Sequence, residues 1–315
     1  MNAQHSMIGV LLMSFGTAAG LDDVPRYLGS VRGGATPPDD LVVEFRRRFE
    51  RVGGSPLTAI TRAQAAALET LLNAEQPRAE RYRVRVGMRH APPFIAESLA
   101  ALGDARRVVA IIMSPQYSPA VMAGYLRAVD DARGSLRNRS EVSVAGPWCG
   151  VDLFLDALAE RVQEGLDRLP PDERVATPVV FTAHSLPRRV AEAEPGYVQQ
   201  LKDTASAVAA RSGLSSDRWT FAYQSAGHTR DEWLTPDVKD LLPHFRSRGH
   251  TRALVAPVQF LADHLEVLYD IDVAAREEAA SLGIKLERIE MLNTHPGLIR
   301  ALAEVVRLER RVPTT

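Results

Sequence analysis

The run Val108-Val109-Ala110-Ile111-Ile112-Met113 is apolar at every position. A strand with one wet face alternates apolar and polar residues. An unbroken apolar run therefore belongs to a strand covered on both faces, as in parallel sheets with helical crossovers. The same kind of stretch recurs along the chain. β-rich segments at Ile8–Ser14, Tyr82–Met88, Val108–Met113 and Val142–Ala145, and again at Val179–Ala183, Thr220–Tyr223, Ala253–Pro257 and Lys285–Ile289, alternate with amphipathic helical stretches. For 315 residues, at about 150 residues per domain, this order predicts an α/β fold of two small doubly wound units. Gly146-Pro147-Trp148-Cys149-Gly150 interrupts the periodicity before the helical pattern Val151–Leu169, and the boundary is expected there. A last helix is expected over Pro296–Arg311, and its pattern leaves open which half it packs on.

Charge and cysteine content remove several classes of function. Lys and Arg number 38 against 39 Asp and Glu, scattered along the chain, so neither nucleic acid nor an anionic membrane is expected as the main partner. Cys149 is the only cysteine, which excludes an internal disulfide, a four-cysteine iron–sulfur cluster and a cysteine-rich zinc site. No stretch approaches the roughly 20 apolar residues of a spanning helix, and Met1–Ser6 lacks the basic start of a secretory signal. A cytoplasmic protein with no membrane insertion is expected. The chain also lacks G-x-x-x-x-G-K-[ST], a G-x-G-x-x-G after the first strand, a G-x-S-x-G elbow and H-E-x-x-H. Doubly wound halves without a nucleotide fingerprint argue against a dehydrogenase or a P-loop enzyme.

In open parallel sheets ligands bind outside the carboxyl ends of the strands. His184 directly follows Val179–Ala183, where an imidazole can ligate a divalent metal or accept a proton. Taken alone, a His at a strand end is more often a capping or structural residue. Asp263, Glu266 and Asp270 fall at i, i+3 and i+7 of a helix expected to start after Phe260, which would place three carboxylates on one face. A solvated acidic helix start explains that spacing too, but Leu265, Val267, Leu268 and Tyr269 are apolar and imply burial. A buried acidic row must bind cations or share protons. In the first half, Arg32 follows the first helical segment, and Arg46, Arg47 and Arg48 lie in a helix expected over Asp39–Val52. The Arg run reads most simply as a solvated face. One of its members could still turn in beside Gly53-Gly54-Ser55-Pro56-Leu57, a loop suited to wrapping a ligand, and clasp a ligand carboxylate with its fork.

Taken together these stretches resemble the ferrochelatase family, which inserts Fe(II) into a porphyrin in heme biosynthesis. The resemblance runs from about Gly9 to Glu304. It is carried by Val52-Gly53-Gly54-Ser55-Pro56-Leu57, Gly87-Met88-Arg89-His90, Thr182-Ala183-His184-Ser185-Leu186-Pro187, Tyr223-Gln224-Ser225-Ala226-Gly227, Trp233-Leu234-Thr235-Pro236-Asp237-Val238 and, most specifically, the stretch from Pro257 to Asp270. It implies two flavodoxin-like (chelatase) domains, each with a four-stranded parallel sheet flanked by helices. They would span 1–148 and 149–291, with the C-terminal helix, 292–315, packing back on the first. It further implies that His184 and Glu266 bind iron and act as the catalytic pair, with Asp270 next in the acidic row. Arg32, Arg48, Ser55 and Tyr125 match positions that contact porphyrin in the coproporphyrin-type bacterial enzymes. Phe15 stands where those enzymes place a tyrosine that can ligate iron, and is expected to contact the porphyrin without ligating. Ala274 interrupts the acidic row, which is then shorter or continues at Glu277. The Gly-Gly loop is one residue shorter before Ser55.

The implied chemistry has a definite physical problem. Two inner N–H groups of a planar porphyrin block a metal arriving along the ring normal, so the protein must grip the rim and bend the centre. Met13, Phe15, Val31 and Leu57 are expected as apolar walls, Arg32 and Arg48 as propionate clasps. His184 would accept a pyrrole proton or help deliver Fe(II), Glu266 would bind the arriving ion, and Asp270 would exchange protons, water or metal. Porphyrin and Fe(II) are the expected partners, as substrates. No cofactor is expected to be permanently bound, and a monomer is expected. Coproporphyrin III is the expected substrate; protoporphyrin IX, another metal, or a tetrapyrrole carrier without turnover remain the alternatives.

Overall fold

A computed structural model describes residues 6–74, 80–134, 140–227 and 231–311. Met1–His5 and residues 312–315, the ends of the two terminal segments discussed above, lie outside the described residues. The chain divides into two units, one running to Val151 and resuming at Asn293, the other Asp152–Leu292.

The first unit holds strands β1 (Ser6–Ser14), β2 (Glu80–Met88), β3 (Arg107–Ile112) and β4 (Glu141–Val144) in one sheet of order β2-β1-β3-β4, parallel at every pairing. Its helices α1 (Val24–Val31), α2 (Asp39–Arg51), α3 (Leu57–Ala74), α4 (Ile95–Ala100) and α5 (Pro119–Arg133) are the crossovers and flanks. Val10, Leu11, Leu12 and Met13 in β1 and Val108–Ile111 in β3 are essentially inaccessible. Consecutive residues of a strand point to opposite faces, so both faces of this sheet are covered, as the unbroken apolar runs require. Strand β2 lies at the sheet edge, and side chains from the flanking helices occupy its outer backbone groups. The Asn73 amide accepts from the N–H of Tyr82 and donates to its carbonyl, Glu69 accepts from the Val84 N–H, and Ser98 donates to the Val86 carbonyl. An edge so covered offers no template for pairing with another strand.

The second unit repeats the plan with β5 (Val179–His184), β6 (Trp219–Gln224), β7 (Arg252–Pro257) and β8 (Lys285–Arg288), all parallel in the order β6-β5-β7-β8. Helices α6 (Asp152–Asp167), α7 (Pro171–Arg174), α8 (Arg188–Ala193), α9 (Pro195–Arg211), α10 (Leu242–Ser247) and α11 (Arg276–Ser281) surround it. Helix α12 (Pro296–Arg311) packs on α3 and β3 of the first unit. Each of the described strands lies within two residues of the stretch expected from the sequence.

The segment before α11 differs from expectation. It turns helical at Leu265, not after Phe260, and over Val267–Ala275 it is a π-helix. In a π-helix each N–H reaches back five residues instead of four. The i, i+3, i+7 arithmetic of an α-helix therefore does not carry over to this segment.

Candidate active site

In the second unit His184 is the last residue of β5, so its backbone is held by the sheet while its ring stands at the carboxyl end. Its backbone N–H donates to Oε1 of Gln259 at 2.8 Å, and Gln259 in turn donates to the Tyr197 hydroxyl at 2.8 Å. Trp233 and Phe260 flank the imidazole, with ring centroids 6.2 and 6.3 Å away. The Trp233 indole fits because Gly227 has no side chain: a Cβ there would come within 2.6 Å of the ring.

Glu266 places one carboxylate oxygen, Oε2, 3.7 Å from Nε2 of His184 and 3.6 Å from Nε2 of His264. These are ion-pair distances, longer than hydrogen bonds. Desolvation works against charge on His184, but the Glu266 carboxylate, the Ser185 carbonyl and the charge of Asp270 outweigh it and raise the imidazole to about 8. Desolvation likewise opposes ionisation of Glu266, and the two imidazoles override it, holding the carboxyl well below the usual carboxylate range. At neutral pH the resting site is a carboxylate set between imidazoles, with His184 protonated. The Glu266 side chain keeps 48% of its surface exposed, so the acid expected in a buried row is open to an arriving ion. Among the described residues no group of three or more His, Cys, Asp or Glu side chains is arranged to hold a metal ion. The donors that converge here are engaged with each other.

The expected three-carboxylate face is not formed. Asp263 precedes the helical segment and pairs with Arg288 at 3.0 Å, and Arg288 also grips Asp272 at 2.8 Å. Burial of Arg288 opposes its charge, but Asp272 and Asp263 raise its pKa above the usual value. Glu266 and Asp270 remain as the acids whose charge reaches His184, while Glu277 lies exposed on α11. No spacing in the sequence marks His264, Asp272 or Arg288. His264 stands within the quoted Pro257–Asp270 stretch but off the assumed helix face, and Arg288 is 25 residues from Asp263, too far for any spacing rule.

In the first unit Phe15 follows β1, 38% exposed, with its ring 4.5 Å from that of His90. Burial, then the Arg89 charge, hold His90 down to about 4, so it is neutral at physiological pH. Arg32 closes α1 and is exposed. Arg48 donates from Nε to Glu44 at 2.8 Å, and Arg47 grips the same carboxylate; hydrogen bonds from Arg47 and then Arg48 lower Glu44 to about 2. Arg48 thus comes with a counter-ion for which any ligand carboxylate must compete. Gly53 and Gly54 both adopt positive φ, 75° and 101°, in the turn before Ser55. That left-handed pair needs glycine. The buried Ser55 hydroxyl has no hydrogen-bond partner among the described residues. Tyr125 lies in α5 and is buried. Met13, expected as an apolar wall, has no accessible surface and belongs to the core, because it lies in central strand β1.

Residues 7–310 match the ferrochelatase family model. The chain belongs to the ferrochelatase family. It is 36% identical over 300 residues to the ferrochelatase of Herpetosiphon aurantiacus, covering 94% of this chain and 97% of that one. To the coproporphyrin III ferrochelatase of Geobacillus kaustophilus it is 36% identical over 302 residues, covering 95% and 94%. With that of Bacillus subtilis it shares 34% over 303 residues, covering 95% and 96%. Among solved structures, SirB from Bacillus subtilis with Fe3+ superposes with a TM-score of 0.58 at 11% identity, over 95% of this chain and 94% of that one. CbiX, the terminal enzyme for biosynthesis of siroheme in denitrifying bacteria, gives 0.54 at 15% identity, over 95% and 98%. At such identities these structures speak for the fold alone. This ferrochelatase-family chain is a metal-inserting enzyme, and among its described residues no helix is long and apolar enough to cross a membrane.

Proposed function

We propose that this protein inserts Fe(II) into coproporphyrin III, with His184 and Glu266 as metal donors and catalytic pair and Asp270 as their acidic neighbour. The observation that carries the assignment is the Glu266 carboxylate set 3.7 Å from the imidazole of His184, at the end of β5, and 3.6 Å from that of His264, in the segment after β7, in a chain whose family inserts this metal. Insertion exchanges one dication for two protons. A cation arriving at Glu266 drives the proton on His184 off to solvent by way of Asp270, and the freed imidazole can then take the two pyrrole protons in turn and pass each on by the same route. His184, Glu266 and Asp270 interact closely enough to titrate as a set, so one member can hold a proton while another is ionised. Phe15, Arg32, Arg48, Ser55 and Tyr125 are assigned to the porphyrin. The unpartnered Ser55 hydroxyl supports its place in that group, since a buried polar atom is stabilised by gaining a bond. Phe15 can pack on the macrocycle but offers the iron no ligand. In this reading the protein acts as a monomer and without a permanently bound cofactor. Coproporphyrin III is preferred to protoporphyrin IX because several relatives of near-complete overlap carry that substrate in their names.

The test is anaerobic Fe(II) insertion followed by absorbance, with coproporphyrin III and protoporphyrin IX side by side. Faster insertion into coproporphyrin III is expected. His184→Ala should abolish insertion, and Glu266→Gln should cut it at least about a hundredfold, the scale of general acid–base loss, while porphyrin binding persists. Wild-type rates in either variant would remove that residue from the chemistry.

A further inference from the structure

Two consecutive residues just past β2, Arg89 and His90, each carry one of the aromatic rings assigned to the porphyrin. His90 packs against Phe15, and the guanidinium of Arg89 lies over Tyr125, its Cζ 5.7 Å from the ring centroid. Gly124 makes that placement possible. A Cβ on Gly124 would fall 2.1 Å from Cζ of Arg89, so any side chain there would evict the guanidinium. Other arginines of this unit are matched with acids: Arg26 with Asp23, Arg48 with Glu44, Arg85 with Glu69. Arg89 is partly buried, and among the described residues no carboxylate pairs with it. His90 beside it is neutral, so the positive charge of this pair sits on Arg89 alone. A guanidinium braced on an aromatic ring, with its five donors uncommitted to an acid, is built to receive a carboxylate in its fork.

We propose that Arg89 binds one of the substrate's carboxylates, held ready by the bare Cα of Gly124 and the ring of Tyr125. The inference rests on the porphyrin reading above and names a contact which that reading did not include. It predicts two ways to lose the same affinity. Arg89→Met removes the charge. Gly124→Ala keeps the charge, favours the helix, and displaces the guanidinium.

The experiment is a fluorescence-quenching titration of coproporphyrin III into wild type and each variant, with circular dichroism to confirm folding. Arg89→Met is expected to weaken binding about tenfold or more, the scale of a charge-assisted hydrogen bond. Gly124→Ala should weaken it in the same direction, and Arg89→Lys, which keeps a charge but not the fork, should fall between wild type and Arg89→Met. Wild-type affinity in both Arg89→Met and Gly124→Ala overturns the proposal while leaving the function standing, and Gly124→Ala decides alone if Arg89→Met does not fold. Absence of binding by the wild type itself overturns the function reading and this inference together.

Discussion

Two histidines near strand ends titrate in opposite directions, and their neighbours decide the sign. His184 has a carboxylate beside it and is raised to about 8. His90 is buried beside Arg89 and is lowered to about 4. The shift of His90 ties stability to pH. The unfolded chain takes up this proton near about pH 6.5, the folded chain only near about 4. Between those values the unfolded state binds more protons, so stability is fully present above the unfolded pKa and declines as pH falls toward the folded one. Replacing the titrating ring by His90→Asn should therefore flatten the acid side. The urea midpoint should drop less between about pH 7 and about pH 5 in the variant than in wild type; equal drops would mean that His90 is not a buried neutral imidazole. At this scale the sequence points to His184 and Glu266, because an imidazole after a strand and an acid in an apolar stretch are chemical signals in themselves. It does not point to His264, which lies off the helix face that periodicity assumes yet reaches Glu266, or to Arg288, which reaches Asp263 and Asp272 from the end of β8.

Among the elements, the π-helix over Val267–Ala275 departs most from what periodicity implies. Apolar spacing reports that a segment is helical and buried, but it does not distinguish a four-residue from a five-residue hydrogen-bond step. The difference is settled by what the side chains reach. Arg288, at the end of β8 and only 10% exposed, holds Asp263 before the helix and Asp272 within it. Glu266 and Asp270 lie between those two anchors. Replacing Arg288 by Met would take the shared cation from Asp263 and leave Asp272 with the more exposed Arg276, and a loss of up to about 3 kcal/mol is expected, read as a lower urea midpoint. Arg288→Lys should recover part of it. A midpoint within error of wild type for Arg288→Met would show that the clamp does not hold the segment. The strands were legible to within two residues because a doubly covered sheet demands unbroken apolar runs, a signal contained within each strand.

For the molecule as a whole, the last helix belongs to the unit in which the chain began. Leu298, Leu302, Val305 and Val306 of α12 are almost fully buried, and α12 packs on α3 and β3. At about 2 kcal/mol for each large apolar side chain buried, removing these residues forfeits an amount comparable with the whole stability of a domain, about 5–15 kcal/mol. A chain ended at Leu292 should therefore lose the protease resistance of its first unit while Asp152–Leu292 stays resistant. Limited proteolysis with mass mapping checks this, and an intact first unit would refute it. From its residue order alone this chain was bound to form covered parallel strands in two sets, since runs such as Val108–Met113 cannot be left wet, and its motifs marked His184 and Glu266, the imidazole and the acid of the proposed site. Which acids neutralise Arg288, which ring lies under Arg89, and which unit receives α12 depend on groups tens to hundreds of residues apart. Contacts of that kind leave no period in a sequence, because they are chosen by packing after the local elements have formed.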